Sequence, residues 1–95
     1  MTYSDLQEAL RVLGLGERAA LKEIKTRHRE LVKRHHPDTG ATDDPDTIRQ
    51  VNAAHKILLD YVSGYRFSFA ENEFYEQNPE ERIMMQFADD PLWGK

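Results

Sequence analysis

The sequence contains four residues that often do acid–base or metal chemistry, namely His28, His35, His36 and His55. One of them opens the tripeptide His36-Pro37-Asp38, in which an imidazole and a carboxylate flank a proline. Such a group can act as an acid–base pair, bind a metal ion, or form a stiff surface for recognition by a partner. The rest of the sequence distinguishes between these three uses.

A catalytic site and a metal site are both poorly supported. Catalysis would need a nucleophile, a phosphate-binding loop or a pocket beside the tripeptide, and no motif for any of them is present. His28 and His35 fall on the apolar side of one predicted helix and His55 on that of the next, without a carboxylate at ligand spacing. The sequence also has no cysteine. We therefore expect no enzymatic activity, no metal site and no cofactor, and we interpret the helical histidines as packed side chains.

Length and composition favour one small soluble domain with an appended segment. The chain has 95 residues, of which 39% are hydrophobic and 32% charged. No apolar run approaches the roughly 20 residues needed to span a bilayer, and the start MTYSDLQEAL lacks the features of a signal peptide. We expect a cytoplasmic monomer that does not associate with membranes.

Charge is distributed unevenly along the chain. Residues 17–34 carry seven basic side chains against three acids, whereas residues 70–95 carry seven acids against two basic side chains. These two segments therefore have net charges of +4 and −5, within a total of −4. Such asymmetry indicates a basic surface and a separate acidic one.

The elements that would position the tripeptide are helices. Ser4 and Gln7 fit a capping box for a first helix that ends at Gly14. A second helix is predicted from about Ala20 to Arg34, and Pro37 stops it. Its predicted apolar face is formed by Ala20, Leu21, Ile24, His28, Leu31 and His35, and its opposite face is basic.

A third helix follows a polar loop. Asp44 is predicted to be its N-cap, Pro45 its first residue, and Gly64 its end. Its predicted apolar face comprises Ile48, Val51, Ala54, His55, Leu58 and Val62. Two short helices are then predicted after the caps Ser68 and Asn78, the second ending at Asp90-Pro91. The sequence thus predicts an all-α fold: a short helix, two long antiparallel helices joined by the loop that holds the tripeptide, and a helical tail.

Over about residues 3–63 this arrangement resembles the J-domain of DnaJ-type co-chaperones. The resemblance rests on LRVLGL at 10–15, EIKTRHRELVKRHHPD at 23–38 and QVNAAHKIL at 50–58. The tripeptide alone would be a trivial match, but its position between a basic amphipathic helix and a matching apolar helix is specific. The resemblance implies a unit that binds a 70-kDa heat-shock chaperone and stimulates its ATPase, without an active site of its own.

The resemblance also implies which residues bind the chaperone. His36, Pro37 and Asp38 stand on the family's signature tripeptide, and Lys25 and Arg29 stand on basic positions of its docking face. Lys22 and Lys33 extend the same basic face. We predict the J-domain at residues 1–64 and an aromatic, acidic extension at 65–95.

Several positions depart from the family pattern. His28 and His55 replace common tyrosines, Glu30 interrupts the basic series, and Arg27 replaces a small residue near the core. The usual fourth helix with its basic dipeptide is not recognisable after Gly64. No glycine- and phenylalanine-rich linker or cysteine-rich module is present, which is the pattern of a J-domain-only protein.

Two parts of the chain allow a further interpretation. The basic second helix could belong to a nucleic-acid-binding helix-turn-helix, although the loop is long for that motif and the chain is acidic overall. The extension holds seven of the nine aromatic residues, which either enlarge a small core or form a docking segment for a client or complex. Its acids could also mask the basic face of the second helix.

Overall fold

The computed structural model describes residues 1–35 and 45–89. Within these ranges the chain forms five α-helices and no strand: α1 Tyr3–Leu13, α2 Leu21–His35, α3 Pro45–Ser63, α4 Glu71–Gln77 and α5 Pro79–Asp89. The predicted all-α class is therefore confirmed. The tripeptide 36–38, the predicted cap Asp44 and the pair 90–91 lie outside the described residues.

The first helix has its N-cap two residues earlier than predicted. Thr2 is the N-cap: its hydroxyl accepts a hydrogen bond from the Asp5 amide, and the Asp5 carboxylate accepts one from the Thr2 amide. The predicted box of Ser4 and Gln7 is wrong, because both pairs satisfy the same spacing and Tyr3 is already helical. Gly14 ends α1, as predicted, and it adopts the left-handed conformation typical of a helix C-terminus, with a φ of 70°.

The second and third helices start close to their predicted positions. At the start of α2 the Ala20 amide donates to the Glu23 carboxylate over 2.8 Å, which satisfies one of the backbone donors that have no partner within the helix. Helix α3 begins at Pro45 and ends before Gly64. Proline is favourable at this first position, because a backbone N–H there would have no hydrogen-bond partner within the helix.

The core is built from α1, α2 and α3. Its buried side chains are Ala9, Leu13, Ile24, Leu31, Val51, Ala54 and Leu58. Both α1 and α2 pack against α3, so α3 forms the centre of this three-helix unit. Burying one leucine or isoleucine contributes about 1.5–3 kcal/mol, so a core of this size gives a stable but small domain.

The contacts divide the chain into two compact units, Met1–Tyr65 and Arg66–Lys95. In the second unit α4 and α5 pack against each other, with Asn78 between them. The Asn78 side chain donates to the carbonyl of Phe74 over 2.9 Å and so closes the end of α4. Helix α4 begins after Ala70 without a side-chain cap, so the predicted cap Ser68 is wrong. The Ser68 hydroxyl instead accepts from the Ala70 amide, just before the helix.

Candidate binding surface on the second helix

Four cations form a row along the exposed side of α2. Lys22, Lys25, Arg29 and Lys33 follow one another at intervals of three, four and four residues, which places them on one face of a helix. All four side chains are exposed. The first three line an open groove together with Leu21 and Thr26. We call these four cations the basic face.

The orientation of this row follows from the opposite side of the same helix. Ile24 and Leu31 are 3% and 8% exposed, and they anchor the inner side of α2 in the core. Rotating the helix to expose them would lose a few kcal/mol of apolar burial. The basic face is therefore held outward by packing rather than by contacts of its own.

Arg27 connects α2 to the end of α1. Its Nε donates to the carbonyl of Leu13 over 3.0 Å, and its Nη1 pairs with Glu30 at 2.9 Å. The last carbonyls of a helix lack partners within the helix and carry partial negative charge, so a guanidinium is well suited to bind one. The sequence marked Arg27 only as unusual near the core, and this tertiary contact explains why it is there. The ion pair also engages Glu30, the acid that interrupts the basic series.

The histidines on the inner side of α2 and α3 pack against each other. His28 and His55 stack with their ring centroids 3.7 Å apart, and His28 Nε2 lies 2.9 Å from Oδ1 of Asn52. Burial lowers the pKa of His55, and the charges of His28 and Lys25 lower it further. Among the described residues, the buried atoms His55 Nε2 and His35 Nδ1 have no hydrogen-bond partner. In the described part of the chain no three metal-ligating side chains cluster.

The structure thus brings together four of the seven predicted binding residues. His36, Pro37 and Asp38 lie outside the described residues, but the basic face ends three residues before His36 in the sequence. Among the helices that are described, none is both long and apolar enough to cross a membrane.

Comparison with known proteins identifies this arrangement. A sequence model of the DnaJ domain matches residues 8–63, more than half of the chain and including all seven predicted binding residues. The chain belongs to the DnaJ domain family. The match spans α1 from Glu8, all of α2 and α3, and the segment between them that holds the tripeptide.

Several curated relatives share this DnaJ domain. The DnaJ homolog subfamily C member 5B of Homo sapiens is 43% identical over 101 aligned positions, which cover 99% of this chain and 50% of the relative. The protein of the same name from Sus scrofa is 35% identical with the same coverage. The Chaperone protein DnaJ of Ureaplasma parvum is 37% identical over 49 residues, which are 52% of this chain and 13% of the relative. The chain therefore spans about half the length of the first relatives. No solved structure gives a significant match.

Proposed function

We propose that this protein is a co-chaperone that binds a 70-kDa heat-shock chaperone and stimulates its ATP hydrolysis. The observation that carries the proposal is the exposed basic face on α2 of a chain whose residues 8–63 match the DnaJ domain. In this proposal Lys22, Lys25, Arg29 and Lys33 dock on an acidic groove of the chaperone. His36, Pro37 and Asp38 then act on its ATPase.

Electrostatics supports a docking role for this face. Four exposed cations on one side of a helix create a local positive potential, even though the chain as a whole carries −4. Such a patch accelerates encounter with an acidic partner and orients it, and it contributes more to association rate and specificity than to affinity. Nothing in the fold or in the comparisons favours the nucleic-acid alternative.

The same proposal assigns roles to the two parts of the chain. Residues 1–64 form the J-domain, and residues 65–95 form an extension with a different task. The protein acts without an active site of its own, since the hydrolysed ATP is bound by the chaperone. Its cytoplasmic location and monomeric state stay predictions.

A steady-state ATPase assay tests the proposal. The 70-kDa chaperone is measured alone, with this protein, and with the charge-reversal variant Lys25→Glu with Arg29→Glu. We expect stimulation by the wild type, a strong loss of stimulation by the variant, and no hydrolysis by this protein alone. Lys56→Glu is a suitable control, because Lys56 is also exposed but lies on α3. Absence of stimulation by the wild type, or equal stimulation by the charge-reversal variant, would overturn the proposed docking mode.

A further inference from the structure

We propose that α5 carries a second binding surface, which takes a basic amphipathic helix of a partner protein. This surface consists of Ile83 and Met84 with Glu80 and Glu81, and we call it the acidic–apolar surface. The proposal goes beyond the co-chaperone function and does not depend on it.

The first argument is burial. Phe74, Ile83 and Met84 are 49%, 50% and 65% exposed, and no side chain described between 66 and 87 is buried. Phe67 and Phe69, two of the aromatic residues that could have enlarged the core, are 63% and 93% exposed. Helices of 7 and 11 residues are too short to be stable through backbone hydrogen bonds alone. A pair of such helices that leaves its apolar side chains in water is therefore stabilised by any partner that covers them.

The second argument is the placement of charge beside the apolar side chains. Glu80 precedes Ile83 by three residues and Met84 by four, and Glu81 precedes Met84 and Met85 in the same way. Residues at these intervals are neighbours on a helix surface. Acidic groups thus border the apolar side chains directly instead of lying on the far side of α5.

The chemistry of the partner follows from these two arguments. Between Glu71 and Phe87 the chain carries five glutamates and one basic residue, Arg82. A complementary partner presents apolar side chains flanked by lysine or arginine, which is one face of a basic amphipathic helix. Flexible methionines adapt readily to such a helix. Anionic membranes and nucleic acids are disfavoured, because both are negatively charged like the surface itself.

Binding of defined peptides to the full chain tests the proposal. The probe is a synthetic amphipathic helix of leucine and lysine. It is compared with a peptide of the same composition in scrambled order and with an amphipathic helix of leucine and glutamate. Titration calorimetry should show the basic amphipathic helix binding at one site, and both other peptides at least about tenfold more weakly.

Two variants locate the site. Ile83→Ser with Met84→Ser should weaken binding of the basic peptide about tenfold, because it removes the apolar anchor. Glu80→Gln with Glu81→Gln should weaken it less and should reduce its salt dependence. The controls are Tyr3→Ser and Glu17→Gln, which make the same kinds of change at exposed positions of the first unit. All these residues are exposed, so circular dichroism should show a folded α1–α3 unit in each case.

Other occupants of the surface would overturn the proposal. Equal binding of the scrambled peptide, or binding unchanged in the Ile83 and Met84 variant, would show that these residues form no such site. Concentration-dependent dimerisation in sedimentation that the same variant abolishes would identify a second copy as the occupant. Binding of the chain to anionic phospholipid vesicles that the variant abolishes would identify a membrane. Chaperone ATPase stimulation depends on other residues, so a failure of that activity is distinguishable from a failure here.

Discussion

The imidazole of His28 on α2 stacks on that of His55 on α3, with ring centroids 3.7 Å apart and an angle of 6° between the ring planes. Nε2 of His28 also lies 2.9 Å from Oδ1 of Asn52, so the same imidazole makes a polar contact with α3. The facing His55 has a buried Nε2 that makes no hydrogen bond to any residue that the structure describes. The stack thus joins the two long helices through rings that pack best when at least one is neutral.

The first prediction concerns pH. Burial, and then the charges of His28 and Lys25, lower the pKa of His55 below its ordinary value of 6.5. The unfolded chain therefore binds a proton at this residue more readily than the folded one. The contribution of His55 to the free energy of unfolding is fully present above about pH 6.5 and is lost as the pH falls through the lowered pKa. Urea unfolding at a series of pH values measures this loss.

The variant His55→Phe isolates the effect, because it keeps an aromatic ring in the stack but cannot take up a proton. Its free energy of unfolding should fall less than that of the wild type between neutral and mildly acidic pH. An NMR titration of the wild type should place the pKa of His55 below 6.5. A measured pKa at or above that value, or identical pH profiles for the two proteins, would contradict the prediction.

The second prediction concerns Arg27. Arg27→Ala removes the donor to the Leu13 carbonyl and leaves the end of α1 without that partner. We expect the free energy of unfolding to fall by about 1–2 kcal/mol, as for loss of a charged hydrogen bond. Arg11→Ala is the matched control, since the ion pair of Arg11 with Glu8 is exposed to solvent, and this variant should lose less stability than Arg27→Ala. Equal losses for both variants in chemical denaturation would mean that the carbonyl contact contributes nothing.

The third prediction compares two nearby glycines. Gly14 has a φ of 70°, and a Cβ added there would lie 3.0 Å from Nη2 of Arg27. Gly14→Ala should destabilise the protein by about 1–2 kcal/mol through backbone strain, in addition to any displacement of Arg27. A Cβ added at Gly16 would meet no described residue within 4 Å except its chain neighbours. The free energy of unfolding of Gly16→Ala should therefore stay within about 0.5 kcal/mol of the wild-type value. A similar decrease in melting temperature for both variants would refute the role of the left-handed cap.

The fourth prediction concerns the tripeptide. His36→Gln and Asp38→Asn should each abolish chaperone ATPase stimulation and leave the helical circular dichroism unchanged. Substitutions at surface positions usually change stability by less than about 0.5 kcal/mol, and the sequence places both residues in a polar loop. Either variant stimulating as well as the wild type would refute the proposed role of the tripeptide.

The fifth prediction concerns salt. If the proposed docking through the basic face is correct, exposed charges steer it, so association with the chaperone should slow as ionic strength rises from about 50 to about 300 mM. Stopped-flow or surface-based kinetics measures this rate. The Lys25→Glu, Arg29→Glu variant should associate slowly at all salt concentrations and should show a weaker salt dependence. A flat response of the wild-type protein would exclude electrostatic docking.

Sequence periodicity predicted the core well. The 3.6-residue pattern identified Ile24 and Leu31 on α2, and Val51, Ala54 and Leu58 on α3, as inward-facing, and all five are buried. Leu21 was assigned to the same face but is 42% exposed, because it is the first residue of α2. The same pattern also predicted the basic face, since cations on the opposite side of an anchored helix must face solvent.

Contacts between side chains of different helices could not be predicted from the sequence. The bond from Arg27 to Leu13 spans 14 residues, and the contact of His28 with Asn52 spans 24, so neither follows from helical spacing. Helix starts were uncertain for a different reason. Thr2 and Ser4 both fit a capping box, and only the conformation of Tyr3 separates the two choices. At α4 the polar Ser68 suggested a cap, whereas the helix begins after Ala70 with no side-chain cap at all.

The aliphatic make-up of the core has a practical consequence for spectroscopy. All seven side chains known to be buried are alanine, valine, leucine or isoleucine, and none absorbs in the near ultraviolet. Tyr61 and Tyr65, whose rings lie 5.8 Å apart, report only on the end of α3. Unfolding of the three-helix unit therefore has little intrinsic fluorescence signal and is best followed through amide absorption or hydrogen exchange. Tyr61→Trp, combined with Trp93→Phe to remove the natural indole, would supply a fluorophore on α3 itself.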